Sequence, residues 1–317
     1  MPDEMIGIDV GFDTTKIYKG KGKTASFPSV FGVYRGEDEG VDTSENRVNN
    51  IVLELNGVKY AIGNSAIIEG GVATFDKNNM QRHLLCSLAG IALVTNGEYT
   101  GPVVMGLPIS DQDNKELKEN IEKLKDEYNY TFCGVPVKVN ITDIYIMPQA
   151  GATFYDMIFD EKGGYDAESP ALKGRVGYAD VGGKTLDYVV YNKGQRVKSE
   201  CGSANLGMNN AYKRLQKEIQ KKLKFTPRTY EVLDYADKIP EETKSIYSEL
   251  ANEVIDATSN AWNDFGQFEK IYITGGGATA LHKYIAERYE NWELIKDAQF
   301  SNARGYYKWG MASLQNK

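Results

Sequence analysis

Histidine is almost absent from this chain of 317 residues, with only His83 and His282 present. A histidine triad or a histidine-built metal centre needs more than that, so each reads as a surface or half-buried structural residue. Cysteine is nearly as scarce. Cys86, Cys133 and Cys201 are far apart, odd in number and form none of the close-spaced pairs of zinc or redox motifs, which predicts buried free thiols. Basic charge is in deficit: 37 Lys and Arg face 44 Asp and Glu, for a net charge of −7. A broad basic surface tracking nucleic-acid phosphates is excluded, and any contact with DNA requires a basic partner. Long apolar runs are missing too. None approaches the roughly 18 residues of a membrane-spanning helix, and the opening MPDEMIGIDV lacks the layout of a signal peptide. The expectation is a soluble, cytoplasmic protein with no membrane contact and no direct nucleic-acid binding. Its chemistry must rest on carboxylates, amides, hydroxyls and lysines.

What the chain has in excess is glycine, 32 residues or about a tenth of the total against roughly 7% in an average protein. Its length exceeds the roughly 100–200 residues of a single domain, so two domains are expected. Ile6, Ile8 and Val10 alternate with small or polar residues before Ile17 and Tyr18, which predicts a hairpin with its loop over 11–16. IVLELNGVKYAIG predicts a second hairpin turning at Asn56-Gly57. A helix is expected over 80–94, a buried strand at GPVVMGLPIS, and a half-exposed helix over 113–128 from the spacing of Leu117, Ile121, Leu124 and Tyr128. DIYIMP reads as a short strand, QAGATFYDMIFD as a helix start, and DEKGGYDAESPALKG as the crossover between lobes. Helices are further expected at about 208–224 and 243–265, and KIYIT reads as a strand running into a Gly-rich turn that opens a helix.

GRVGYADVGGKTLDYVVYNKGQRVKSE repeats the logic of the opening hairpin. Asp9-Val10-Gly11 matches Asp180-Val181-Gly182, and five residues after each aspartate stands a threonine, Thr14 and Thr185. An offset this large lies outside solenoid periods and points to two similar lobes. Two such turns can clamp one polyphosphate: glycines let backbone N–H groups face the oxygens, Thr14, Thr15 and Thr185 add hydroxyls, and Lys16 supplies positive charge. Asp9 and Asp180 would repel bare phosphate and make sense with a cation between, for which magnesium, held by one or two carboxylates plus phosphate oxygens, is suited. A single turn of this kind is more often just a hairpin with Gly and Asp in their usual places. Two matched copies followed by a strand and Gly275-Gly276-Gly277 shift the balance to nucleotide. Those glycines admit an adenosine, with the following helix N-terminus facing its phosphates.

Two other nucleotide motifs fail. GYADVGGKT would be a P-loop only with glycine at 178, where Tyr178 stands. Gly275, Gly277 and Ala280 satisfy a loose dinucleotide fingerprint, yet too little chain follows for a Rossmann half.

These residues resemble the actin/sugar-kinase/heat-shock ATPase superfamily and, within it, the ParM-like plasmid-segregation actins and their archaeal relatives. IGIDVGFDTTKIYKG resembles the first phosphate loop, GYADVGGKTLDYVV the second, IYITGGGATAL the adenosine loop, and FSNARGYYKWGMAS the C-terminal segment that returns to the first lobe. The resemblance implies an α/β fold of two lobes, duplicated ribonuclease-H-like domains with a nucleotide cleft between them. Lobe I would comprise 1–168 with the return 300–317, and lobe II 169–299. It further implies that Gly11, Phe12, Asp13, Thr14, Thr15 and Lys16, with Gly182, Gly183, Lys184 and Thr185, surround the phosphates. Asp9 and Asp180 would organise a hydrated Mg2+, and Gly275, Gly276 and Gly277 would meet the adenosine. Gln149 stands where actins carry the glutamine that orients the attacking water; ParM has an acidic residue there, so the chain is more actin-like at this point. Lys184 departs from the small or hydroxyl residue common at its place. Gly207, Lys213, Arg214 and Glu218 are candidates for base and ribose, although a stretch such as YKRLQKEIQKKLK is more often just a charged helix face.

By this resemblance the protein is an ATPase, with ATP or GTP as substrate, that assembles head to tail into filaments. The filaments would separate plasmid copies through a DNA-binding adaptor on the plasmid centromere. Phe31 and Tyr34 are candidate lattice contacts. A small-molecule kinase or a non-polymerising ATP-binding adaptor of the same superfamily are the alternatives, and no substrate-binding domain of the chaperone kind follows the ATPase lobes.

Overall fold

The computed structural model describes residues 5–36, 50–69, 79–108 and 111–315. The last two residues of GPVVMGLPIS and part of the candidate lattice region between 25 and 80 lie outside them. The chain divides into two compact units, Met1–Asp166 with Asn302–Lys317, and Ala167–Ser301.

Unit 1 contains strands β1 (Ile6–Val10), β2 (Thr14–Tyr18), β3 (Thr24–Pro28), β4 (Phe31–Val33), β5 (Ile51–Leu55), β6 (Val58–Ile62), β7 (Glu98–Leu107), β8 (Glu127–Phe132) and β9 (Val135–Pro148). They form one sheet in the order β3-β2-β1-β7-β9-β8-β5-β6-β4, in which β1, β7 and β9 run parallel. The helices are α1 (Asn64–Ile68), α2 (Met80–Val94), α3 (Lys115–Glu122) and α4 (Ala152–Ile158). Successive side chains of a strand face opposite ways, so the sheet builds two cores. Ile6, Ile8, Ile17, Val103 and Met105 pack under α2, whose Leu85, Leu88 and Ile91 are buried.

Unit 2 contains β10 (Arg175–Val181), β11 (Leu186–Asn192), β12 (Gln195–Arg196), β13 (Gly202–Ala204), β14 (Lys270–Thr274) and β15 (Trp292–Leu294), with α5 (Met208–Leu223), α6 (Val232–Ala236), α7 (Pro240–Trp262) and α8 (Ala278–Ala286). Its main order is β12-β11-β10-β14-β15, with β10, β14 and β15 parallel. The five strands β3-β2-β1-β7-β9 of unit 1 repeat this order and these directions, the structural form of the duplication seen in the sequence.

The closing helix, α9 (Ser301–Gln315), packs against the second face of the unit 1 sheet. Close approach is possible because Gly7 and Gly106 lack side chains: a Cβ at Gly7 would lie 1.9 Å from the Ala303 carbonyl, and one at Gly106 1.7 Å from the Tyr306 hydroxyl. Arg304 grips the buried Asp156 of α4 through two hydrogen bonds of 2.7 and 2.6 Å, and Lys308 adds a third charge at 2.9 Å. A charge-assisted fork of this kind fixes orientation as well as position.

Several elements differ from the sequence reading. The helix expected over 113–128 stops at Glu122, and Tyr128 belongs to β8, where EYNYTF alternates along a strand closed by the Cys133-Gly134 turn. DIYIMP is the end of a strand of 14 residues. The helix start at Gln149 is a single 3-10 turn before α4. Cys86 alone is a buried thiol, Cys133 and Cys201 being half-buried, and His83 is buried rather than near the surface.

Candidate functional site

The first candidate turn joins β1 to β2. Asp9 pairs with Lys16 across the two strands, and the Gly11 N–H donates to the Thr14 carbonyl at 3.2 Å, so the turn is only Gly11, Phe12 and Asp13. The loop expected over 11–16 is shorter because Thr15 and Lys16 pair with both β1 and β3, and Thr14 pairs with β3. Thr15 points inward, its hydroxyl 2.8 Å from that of Ser29 and also bonded to the Cys86 thiol. Only its backbone remains for a ligand.

Asp9, 5% exposed, is the centre of this turn. Lys16 Nζ lies 3.6 Å from its Oδ2, and Gln149 Nε2 donates to its Oδ1 at 3.3 Å. Burial pushes the Asp9 carboxyl above its ordinary value, and Lys16 opposes that rise. The topology explains how a residue 140 positions away arrives here. β1, β7 and β9 are parallel, so their C-terminal ends open on one edge of the sheet, where open α/β sheets hold ligands. Pro148 closes the β7–β9 ladder opposite Leu107, and Gln149 follows at once.

Unit 2 repeats the turn between β10 and β11. The Gly182 N–H donates to the Thr185 carbonyl at 2.9 Å, the same bond that closes the first turn. Gly207 stands at the N-cap of α5, where a Cβ would lie 2.5 Å from the Gly183 carbonyl. The first two α5 N–H groups, of Met208 and Asn209, donate to the carbonyls of Gly182 and Gly183 at 3.0 and 2.8 Å. The helix start thus fixes the turn from behind, and Lys184 is exposed at its tip.

Gly275 follows β14 with φ of +88°, and a Cβ there would meet Asp180 Oδ1 at 2.2 Å. Gly277 donates its N–H to the Val181 carbonyl at 2.9 Å, which straps the glycine loop to the end of β10 beside Asp180, itself 7% exposed. Gly276 differs from both: a Cβ added to it would have nothing within 4 Å. Unit 2 therefore brings together Asp180, Gly182, Gly183, Thr185, Gly207 and the three glycines. Arg214 and Glu218 stand further along α5, beyond its first turn. Arg214 pairs with Glu249 and Glu253 of α7, Glu218 pairs with Lys221, and both line a cavity of about 260 Å³ between α5 and α7, while Lys213 is exposed.

One residue escaped the sequence reading. Seven positions after each aspartate, the first turn has Lys16 and the second has Asp187, each paired in register with its aspartate. Asp187 is 6% exposed, and the Thr185 hydroxyl donates to its Oδ2 at 3.0 Å. A carboxylate interrupting the apolar run of TLDYVV was the available signal.

The donor chemistry fits a hydrated cation. Among the described residues no group of three or more His, Cys, Asp or Glu side chains is gathered to chelate a bare ion. Each turn instead offers a buried carboxylate at a glycine-lined strand end, which suits a cation that keeps its waters and shares phosphate oxygens.

Comparison with known proteins identifies the family. Residues 7–151 match the N-terminal domain of actin-like proteins, and residues 178–287 match the C-terminal domain of the archaeal, MreB-like actin homologues. The chain belongs to the actin-like proteins. An archaeal actin homologue of Thermoplasma acidophilum is 25% identical, with 95% of this chain and 97% of that protein aligned. The crystal structure of an archaeal actin homologue in complex with ADP has the same fold, with a TM-score of 0.77 at 20% identity over 99% of this chain and all of the other. A 15-stranded ParM filament from Clostridium botulinum gives 0.79 at 21% identity, over 98% of this chain and 99% of that one. The α/β actin-like fold expected from the motifs is the fold of this protein.

Proposed function

We propose that this actin-like protein binds a Mg2+-nucleoside triphosphate, ATP or GTP, through the turns after Asp9 and Asp180, and hydrolyses it in the course of assembling into filaments. The single observation that supports this best is the pairing of Gln149 with Asp9: an amide, a buried carboxylate and Lys16 meet at the glycine turn of a duplicated hairpin. Catalysis is then positioning and charge stabilisation. Lys16 and the glycine-turn N–H groups hold phosphate oxygens, and Gln149 orients a water for in-line attack. Bound magnesium would neutralise charge on the phosphate oxygens. Asp9 and Asp180 are the residues to hold its water shell.

Assembly is proposed from the relatives, one of which was solved as a filament and another with ADP. Head-to-tail contacts between unlike faces that do not close into a ring give open filaments. We further propose a cytoplasmic role in separating plasmid copies. The net charge of −7 argues that the DNA is reached through a basic adaptor bound at the centromere. Titration of a fluorescent nucleotide against the wild type, Asp9→Asn and Asp180→Asn provides the test. Each variant should keep its fold and lose Mg2+-dependent affinity by roughly tenfold or more. Unchanged affinity in both would remove the two turns from the site.

A further inference from the structure

The charge of the protein is divided unevenly between its two units. Unit 1 has 25 Asp and Glu against 18 Lys and Arg and so holds the whole net charge of −7, while unit 2 is neutral with 19 of each. Within unit 2 the bases are gathered: KRLQKEIQKKLKFTPR, residues 213–228, has seven bases and a single acid, Glu218. The stretch covers most of α5 and the connection after it. Three of its bases are answered inside unit 2, Arg214 by Glu249 and Glu253, Lys221 by Glu218, and Lys222 by Glu242. Lys213, Lys217 and Lys224 are exposed and make no ion pair among the described residues.

Their spacing aligns them. At 3.6 residues per turn, Lys213, Lys217 and Lys224 fall within about 40° of one another, on a stripe about 16 Å long. The stripe lies opposite the face on which Ala211, Leu215 and Ile219 are buried. Like charges four residues apart on a helix weaken it, so the stripe does nothing for the fold of one chain. At its end stands apolar surface. Phe225 follows Lys224 directly and is 39% exposed, and Tyr230 and Leu233 are 48% and 50% exposed on the connection and on α6. The Phe225 ring meets Tyr235 of α6 edge-on at 4.8 Å, which folds the connection back against the end of α5. Nucleic-acid phosphate would use the lysines alone, whereas apolar side chains rimmed by charge suit a protein partner.

We propose that the lysine face of α5, with Phe225, Tyr230 and Leu233 at its end, is an assembly contact that receives unit 1 of a second copy of this chain. Unit 1 is the complement because it holds the protein's entire surplus of acid. This rests on the filament reading above and names a surface and a partner for it. A basic face of unit 2 meeting an acidic unit 1 is a contact between unlike surfaces, which extends into an open assembly wherever the rotation does not close. Exposed charges are screened beyond about 8 Å at physiological ionic strength, so such a contact weakens as salt is added.

The test is the critical concentration for light scattering of the full chain in Mg2+-ATP, with nucleotide affinity measured beside it. A wild type that never assembles would sink the filament reading and this proposal with it. Given assembly, Lys217→Glu with Lys224→Glu should raise the critical concentration about tenfold or more and leave nucleotide affinity within about twofold. Lys217→Gln with Lys224→Gln, which removes charge without adding repulsion, should raise it about threefold and lose most of the salt dependence that the wild type shows between about 50 and about 300 mM KCl. Lys193→Glu with Lys198→Glu makes the same change of net charge on other exposed lysines of unit 2 and should assemble as the wild type does. Mixed into the wild type at about one part in ten, the Lys217→Glu, Lys224→Glu protein should slow growth, because its unit 1 still docks while its own α5 receives no further copy. An unchanged critical concentration in that protein would overturn the proposal while leaving the filament reading intact. So would an equal loss in the Lys193→Glu, Lys198→Glu control, which would make net charge alone responsible. Loss of nucleotide affinity together with assembly would assign the lysines to the nucleotide, and wild-type binding to duplex DNA that the variant loses while it still assembles would assign them to nucleic acid; either result overturns the contact.

Discussion

At the scale of single residues, burial decides which groups are available for chemistry. Cys86 is sealed in the unit 1 core, and that burial pushes its thiol from 9.0 up to about 11 against a modest pull from Thr15. In the unfolded chain the same thiol ionises near 9.0. The folded form therefore holds its proton more tightly, so the contribution to stability is complete below 9.0 and is lost as pH rises through about 11. Urea midpoints of the wild type and Cys86→Ala should converge over that alkaline window; a difference that stays constant would contradict the burial. The glycines of the adenosine loop make a second pair of predictions. Gly276→Ala meets no atom within 4 Å and should leave the melting temperature unchanged or slightly raised, since alanine restricts the unfolded chain. Its effect should fall on nucleotide affinity. Gly277→Ala would bring a Cβ to 2.7 Å from Met208 and 2.8 Å from Val181, and should cost stability by about 1–3 kcal/mol. Thermal melts with and without nucleotide separate the two, and a Gly276→Ala protein that binds nucleotide normally would place the ligand elsewhere.

At the scale of elements, the C-terminal helix is held by a few specific contacts. The Asp156 side chain is buried against α9, with Arg304 as its bidentate partner and Lys308 as a second cation. Arg304→Met removes the fork while Lys308 remains, so a loss of about 2–3 kcal/mol in urea denaturation is expected, below the full cost of stranding a buried charge. A loss under about 0.5 kcal/mol would mean that the helix is held by packing at Gly7 and Gly106 alone. The same scale shows what sequence could reveal. Asn56-Gly57 and Lys193-Gly194 are two-residue turns with positive φ at both positions, and the turn chemistry announced them. Cys133-Gly134 has the same conformation yet went unseen, because Leu117, Ile121, Leu124 and Tyr128 extend a helical spacing through the point where α3 ends. Leu124 is buried after the helix is over, so one apolar position served two structures. Asp9, Gly11, Asp180 and Gly182 were legible since local turn chemistry repeats at a fixed spacing. Their arrangement with Gln149 depends on parallel strands far apart in the chain, which no local pattern encodes. Asp187 was missed because its meaning lies in register, not in spacing from the glycines.

At the scale of the whole molecule, the duplication is the organising fact. Two sheets share a five-strand order and a hydrogen-bonded glycine turn, and differ in the residue paired in register with the aspartate, Lys16 opposite Asp9 and Asp187 opposite Asp180. A small change in lattice affinity would make such a protein dynamic, since about 1.4 kcal/mol alters binding at a filament end tenfold. The most direct measurement is right-angle light scattering of the purified protein on addition of Mg2+-ATP, with phosphate release followed in parallel across protein concentrations. Scattering should rise above a critical concentration, with phosphate release tracking it, and Asp9→Asn should show neither. Nucleotide turnover with no scattering at any concentration would contradict assembly and leave a kinase or a non-polymerising ATP-binding protein in its place.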